Sequence, residues 1–210
     1  MENVTKALIL IAAGIVPASA LSQEPGEFGL GFGLSTLGAT LEGTYRVSDR
    51  FGLRVPLGYL SVDDTETDDG IKYDYDSQLG GIGLLGDYYT GIGGLRITGG
   101  AMLSGYDVDG TGRGSGTLGD NTYNNVNLRY SADTKNAVMP MISLGYDGQV
   151  SPRWTLSADL GAMYTGGFDV SLTDKSGQVS QADLNKEIKD AEDDAPSVLP
   201  YVKFTATFRF

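Results

Sequence analysis

Residues 201–210 read YVKFTATFRF, and their side chains alternate between apolar and polar without a break. One face carries Val202, Phe204, Ala206, Phe208 and Phe210, and the other carries Lys203, Thr205, Thr207 and Arg209. A repeat of two residues is typical of a β-strand with one apolar and one polar face. The segment therefore predicts an amphipathic strand that ends on an aromatic residue.

The same alternation recurs along most of the chain and predicts eight strands. They are expected at 28–34, 37–47, 51–59, 73–86, 94–106, 137–147, 153–172 and 201–210. The apolar phase flips at Ser35-Thr36, which fits either a hairpin turn or a bulge within one longer strand. The hairpin is favoured, because an even number of strands places both chain ends on the same side of a barrel.

The composition excludes several classes of function. The 210 residues include no histidine and no cysteine, which rules out Ser-His-Asp and Cys-His nucleophile pairs, a disulfide framework and a zinc site of the usual kind. The formal net charge of -12 disfavours nucleic acid as a partner, because phosphates are bound by clustered lysine and arginine. We expect no cofactor and no bound metal.

Three features assign the apolar strand faces to lipid rather than to a packed interior. Connections alternate between short ones, at 48–50, 87–93 and 147–153, and long ones, at 62–72, 107–136 and 173–199, as in outer-membrane barrels. Aromatic side chains collect at both strand ends, as in the two girdles of a membrane barrel: Tyr45, Phe51, Tyr146 and Trp154 beside short connections, and Tyr59, Tyr73, Tyr75, Tyr106, Tyr164 and Phe168 toward long ones. The third feature is the aromatic end of the last strand. A soluble barrel of the lipocalin type is the alternative.

In the spacing of its strands and loops and in its closing strand, the sequence resembles the small outer-membrane β-barrel proteins of Gram-negative bacteria, the OmpA/OmpX/OmpW-like group. The resemblance implies an all-β, eight-stranded antiparallel transmembrane barrel in an up-and-down meander, monomeric among outer-membrane lipid and lipopolysaccharide. It also implies that Phe204, Phe208 and Phe210 form a signal for the barrel-assembly machinery, after delivery by periplasmic chaperones. The peptidoglycan-binding domain of full-length OmpA-type proteins has no counterpart in this sequence.

Residues 1–20 have the layout of a secretory signal peptide. Lys6 precedes the apolar run ALILIAAGIV at 7–16, and the small residues Pro17-Ala18-Ser19-Ala20 follow it. The run is shorter than the roughly 20 residues that a membrane-spanning helix needs. We therefore expect cleavage after Ala20, a barrel domain over 21–210 and a location in the cell outer membrane.

Charged residues on the inward strand faces form the candidate functional site. The predicted set is Glu42, Arg46, Arg54, Asp74, Asp76, Arg96, Asp159, Lys203 and Arg209. Opposite charges in a narrow space of low dielectric are expected to pair, which would fill the lumen and hold it closed. Alternatively, the four arginines of this set could form a collar near the periplasmic strand ends that binds or selects anions.

These features predict a non-enzymatic protein with a structural or surface-interaction role. Enzymes among the outer-membrane barrels rely on a catalytic histidine, which this chain lacks. The alternative function is a small pore for hydrophobic or small charged solutes.

Two external segments have predictions of their own. The acid-rich stretch at 62–72 is expected to be a solvated loop. Ser180 and Asp183 fit a capping box, and Leu184, Ile188 and Ala191 share one helical face, which predicts a short amphipathic helix over 180–193 in the last external loop.

Deletion of Phe210 is expected to impair assembly of the barrel, because it removes the aromatic residue that the resemblance identifies as part of the assembly signal. The amount of protein in the outer membrane of intact cells measures this. Normal surface levels after the deletion would contradict the assignment.

Overall fold

The computed structural model describes residues 25–68 and 70–210, so the predicted signal peptide at 1–20 lies outside the described residues. In chain order the strands and helix are β1 (Phe28–Ser35), β2 (Gly38–Arg46), β3 (Phe51–Asp68), β4 (Ile71–Tyr89), β5 (Leu95–Leu118), β6 (Asn121–Thr134), β7 (Val138–Ser151), β8 (Trp154–Tyr164), β9 (Phe168–Asp174), α1 (Gln181–Asp194) and β10 (Val198–Arg209). Within this part of the chain, no helix has both the length and the apolar character to cross a membrane.

Eight of the strands close into an antiparallel ring. The ring runs β1-β2-β3-β4-β5-β7-β8-β10, and β10 returns to pair with β1, with Leu34 opposite Phe204. The predicted eight-stranded barrel is thereby confirmed, as is the short helix between the last two strands. We call the end that carries the turns at 47–50, 90–94 and 152–153 the turn end, and the opposite end the sheet end.

Beyond the ring, at the sheet end, the longest strands continue as a second sheet. The outer parts of β3, β4 and β5 stay paired and are joined by β6 and β9, so that five strands form what we call the outer sheet. The segments 62–72 and 107–136, expected as loops, are therefore largely strands. The apolar alternation did not reveal them because both of their faces carry many polar residues, and cross-strand pairing supplies their order instead.

The predicted strand at 153–172 is in fact two strands. Gly166 and Gly167 have φ of 79° and 97°, values that favour glycine, and they turn the chain away from the ring after β8. The following strand, β9, pairs with β6 in the outer sheet.

A hairpin, not a bulge, connects β1 and β2. Ser35 pairs with Gly38 and Leu34 with Ala39, so Thr36 and Leu37 form the turn, one residue later than predicted. Leu34 faces outward while Leu37 is buried inside the ring.

The outer surface of the ring is apolar on every side. Phe32, Leu34, Leu57, Ile142 and Leu160 are each between 51% and 67% exposed. A soluble protein rarely exposes contiguous apolar surface on this scale, whereas a membrane barrel requires it. The polar side chains of the same strands point inward, so the ring has the inverted arrangement of a barrel surrounded by lipid.

Aromatic side chains cluster at the turn end of this surface. Phe28 packs on Tyr45 with ring centroids 4.5 Å apart, and Trp154 packs on Phe208 at 5.3 Å. Phe51 contacts Tyr88, while Tyr146 is half-buried. At the sheet end, Tyr59 and Tyr164 are exposed, but Tyr73, Tyr75 and Tyr106 line the inner face of the outer sheet instead of the predicted girdle.

Replacement of Gly33 by valine is expected to destabilise the seam between β1 and β10 by about 3 kcal/mol or more. A Cβ atom at Gly33 would overlap the carbonyl of Phe204 and lie 2.8 Å from Cα of Thr205. Urea unfolding in lipid vesicles measures the effect. The matched control is Gly43→Val, because a Cβ atom at Gly43 meets nothing within 4 Å. Equal unfolding midpoints for the two variants would contradict the prediction.

Candidate functional site in the barrel lumen

The inward faces of seven ring strands bring charged side chains together in the half of the lumen nearer the turn end. Strand register sets part of the arrangement directly, since Lys203 pairs with Asp159 across β10 and β8, and Asp87 with Thr98 across β4 and β5. Gly145 leaves the space that Arg96 occupies, because a Cβ atom there would lie 2.7 Å from the Arg96 guanidinium carbon. We call the resulting group the lumen cluster. Its members are Glu42, Arg54, Asp87, Arg96, Asp147, Asp159 and Lys203.

Asp159 is the centre of the lumen cluster. Its two oxygens accept a bidentate pair of hydrogen bonds from Arg96, at 2.7 and 3.0 Å. The same carboxylate lies 3.3 Å from Nη2 of Arg54 and 3.4 Å from Nζ of Lys203. One buried carboxylate therefore binds all three cations of the cluster, a geometry that gives each cation a defined direction.

The remaining carboxylates surround the two arginines. Asp87 lies 2.7 Å from Nε of Arg54 and also accepts a 2.6 Å hydrogen bond from the hydroxyl of Thr98. Glu42 contacts both Arg54, at 3.3 Å, and Lys203. These side chains are nearly inaccessible to solvent, so their charges are neutralised by one another and not by water.

Asp147 extends the lumen cluster toward the turn end. It lies 2.9 Å from Nε of Arg96 and accepts a hydrogen bond of 3.0 Å from the hydroxyl of Tyr89. The ring of Tyr89 in turn stacks against the guanidinium of Arg46 at 3.4 Å. Together these contacts form a continuous layer from the centre of the lumen to its rim.

Arg46 and Arg209 lie at the rim and do not reach the central carboxylates. Arg46 donates to the carbonyl oxygen of Asp49 at 2.6 Å, and Arg209 donates to that of Pro152 at 3.0 Å and contacts Glu27 at 3.4 Å. Both side chains thus bind turn backbone. The four arginines of the predicted collar are divided between the rim and the lumen cluster, and they form no single ring.

Asp74 and Asp76 do not belong to the lumen, contrary to the sequence-based prediction. Both lie in the exposed outer sheet, where Asp74 binds Lys72 at 3.0 Å. Asp76 stands opposite Asp63, whose hydrogen bond and negative charge raise the pKa of Asp76. The reason is strand length: β4 has 19 residues, whereas a membrane crossing takes roughly 9–11, so the first part of β4 lies outside the barrel.

Asp87 and Asp147 are the cluster members that the sequence did not predict. Both were placed in short connections, at 87–93 and 147–153, and both belong to strands that run further than the alternation indicated. The alternation of side chains in β4 could have predicted Asp87, because the buried residues Leu85 and Asp87 occupy successive inward positions of that strand.

A second, apolar layer fills the lumen between the lumen cluster and the sheet end. We call it the apolar plug; it consists of Leu37, Leu79, Leu85, Met102, Met139, Met141, Met163 and Tyr201. On the other side of the lumen cluster, the enclosed space between the side chains is about 10 Å³. That is at the lower limit of what a single water molecule requires.

Solved structures with the same architecture have been found. The CarO protein of Acinetobacter baumannii shares 21% identity with this chain at a TM-score of 0.64, covering 87% of this chain and 97% of its own. CarO2 of the same organism shares 21% identity at 0.66, covering 90% and 100%. The fold is that of a small outer-membrane β-barrel protein. This confirms the resemblance seen in the sequence, and at such identity it concerns the fold alone.

A third solved structure is less similar to this chain. A major outer membrane protein from Thermus thermophilus shares 13% identity at a TM-score of 0.48, covering 88% of this chain and 98% of its own. No protein-family model and no curated protein sequence matches the chain.

Replacement of Arg96 by methionine is expected to destabilise the barrel by about 3–5 kcal/mol, because it leaves Asp87, Asp147 and Asp159 buried without a principal counter-charge. Urea unfolding in vesicles, followed by gel mobility without boiling, measures the loss. The matched control is Arg153→Met at an exposed position beside Phe208, expected to change stability by less than about 1 kcal/mol. Equal midpoints for the two variants would contradict a stabilising role for the cluster.

Proposed function

We propose that this chain is a non-enzymatic outer-membrane barrel with a closed lumen, whose role is structural or depends on its external surface. The observation that carries the proposal is the pair of stacked layers inside the ring. The lumen cluster and the apolar plug occupy the lumen one above the other, and the space left beside the cluster is about 10 Å³. An eight-stranded barrel is narrow enough for side chains to fill it in this way.

The absence of catalysis is supported by the chemistry of the buried groups. Every carboxylate of the lumen cluster is bound by an arginine or a lysine, which leaves none positioned as a free general base. No histidine occurs anywhere in the sequence to act as a base for a serine or threonine nucleophile.

The placement in the cell follows from the same proposal. We propose that residues 1–20 direct export and are removed, and that the barrel-assembly machinery inserts the protein, as a monomer, among outer-membrane lipid and lipopolysaccharide. The turn end would then face the periplasm and the outer sheet the exterior, since outer-membrane barrels have short periplasmic turns and long external connections.

A small pore has less support. Arg54 and Arg96, which were candidates for an anion-selective collar, form ion pairs with Asp87 and Asp159, so neither guanidinium is free to bind a passing anion. Conduction of ions would require the paired side chains of the lumen cluster and the buried side chains of the apolar plug to move aside.

The refolded protein is expected to give no steady current above background in a planar lipid bilayer. The reason is that the charged side chains of the lumen cluster pair with one another and leave no water-filled path for ions. A general porin from a Gram-negative bacterium, inserted under the same conditions, is the positive control. A steady current that disappears on replacing Arg46 and Arg96 by alanine would overturn the closed lumen and establish the pore.

A further inference from the structure

A second, partly open cavity lies beyond the ring, between α1 and the inner face of the outer sheet. Its volume is about 550 Å³, and its lining residues come from β3, β4, β5, β6, β9 and α1. Cavities of this size accept small organic molecules. It is separated from the lumen cluster by the apolar plug, against which Tyr106, one of its lining residues, is packed.

The walls of this cavity combine aromatic side chains with negative charge. Four tyrosines line it, Tyr73, Tyr75, Tyr106 and Tyr130, together with the carboxylates of Glu66 and Glu187, and no lysine or arginine is among its described lining residues. All four tyrosines are half-buried, so their rings are held by the protein while part of each remains accessible.

The local potential at this wall is negative. The hydroxyl of Tyr75 donates to Glu66 at 3.4 Å, and burial together with the charges of Asp64 and Glu66 raises the pKa of Tyr75. Aromatic faces and carboxylates both attract cations, and both lose this attraction for a neutral molecule of the same shape.

The helix α1, which forms one wall of the cavity, is held in place by hydrogen bonds within the protein. Asp183 of α1 accepts hydrogen bonds from the hydroxyls of Ser180, at 2.6 Å, and Tyr123, at 2.5 Å. It also accepts one from the backbone nitrogen of Asp120 and one from the side-chain nitrogen of Asn121, each at 3.0 Å. These donors hold the pKa of Asp183 well below its usual range. Ionised Asp183 therefore secures the helix at neutral pH, and the contact is lost only in strong acid.

Glu187, one turn further along α1, both anchors the helix and lines the cavity. Its Oε1 atom accepts a 2.6 Å hydrogen bond from the backbone nitrogen of Gly119, in the turn between β5 and β6. The next turns of the helix present Ile188 and Ala191 to the cavity. The wall contributed by α1 is thus largely apolar, facing the tyrosines of the sheet.

We infer that this external cavity binds small organic cations with an apolar body, held by cation-aromatic contacts to the tyrosines and by the charge of Glu66. The apolar side chains Val108, Leu172 and Ile188 would contact the body of such a ligand. This site is distinct from the closed lumen, so ligand binding and ion conductance can succeed or fail independently of each other.

The test uses the full chain refolded in a polyoxyethylene detergent, which carries neither a cation nor a sugar. Acetylcholine serves as the cationic probe, and 3,3-dimethylbutyl acetate is its neutral counterpart of the same shape. Titration calorimetry is expected to show saturable binding of acetylcholine that is at least about fivefold tighter than that of the neutral ester. Equal binding of the two esters, or no saturable binding, would overturn the inference.

Variants locate the binding site. Tyr130→Leu is expected to weaken acetylcholine binding about fivefold, whereas Tyr130→Phe keeps the ring and retains binding. Glu66→Gln is expected to weaken it as well. The matched controls are Tyr59→Leu on the lipid-facing surface and Asp169→Asn on an exposed side chain outside the cavity, and neither is expected to change binding.

Gel mobility without boiling shows that each variant is folded before it is titrated. Unchanged acetylcholine binding by folded Tyr130→Leu would overturn the assignment. So would saturable binding of methyl β-glucoside in place of the cation, because a tyrosine platform for neutral sugars would then explain the cavity better.

Discussion

Pairing of β10 with β1 closes the ring, and both the lumen and the outer sheet are built on that closure. Lipid offers no hydrogen-bond partners, so a sheet can cross the membrane only if every strand has two neighbours. The seam satisfies this requirement over seven residue pairs, from Gly29 opposite Arg209 to Ser35 opposite Lys203. Glycines on the inward side of β1 let the two strands approach, and the outward positions remain available for large apolar side chains.

Closing only eight strands leaves a narrow interior, and that interior determines the chemistry of the lumen. Side chains must fill it, and the alternation of the strands makes most of them polar. Burying charges in a small dry space is unfavourable unless each is paired, which explains why Asp159 contacts three cations. Toward the sheet end the inward positions become apolar, and methionines, with flexible unbranched side chains, fill the irregular remaining space.

The outer sheet follows from strand length rather than from the membrane. β3, β4 and β5 each continue well past the ring, and in water their backbone groups find partners in one another and in β6 and β9. One face of this sheet carries exposed aspartates such as Asp74 and Asp76, and the other carries tyrosines. α1 covers the tyrosine face, and the cavity lies between them.

The ring could be predicted from the sequence, because the alternation in the closing strand and its predecessors indicated eight strands. The capping residues Ser180 and Asp183 likewise predicted the helix. The sequence also placed Arg54, Arg96 and Asp159 on inward faces, because the side-chain period is local. Pairing between strands, and not the sequence pattern, places Asp74 and Asp76 outside the barrel and Asp87 in the lumen cluster. Strand ends and partners depend on pairing between distant segments, and the period of a single strand contains no information about where its neighbours stop.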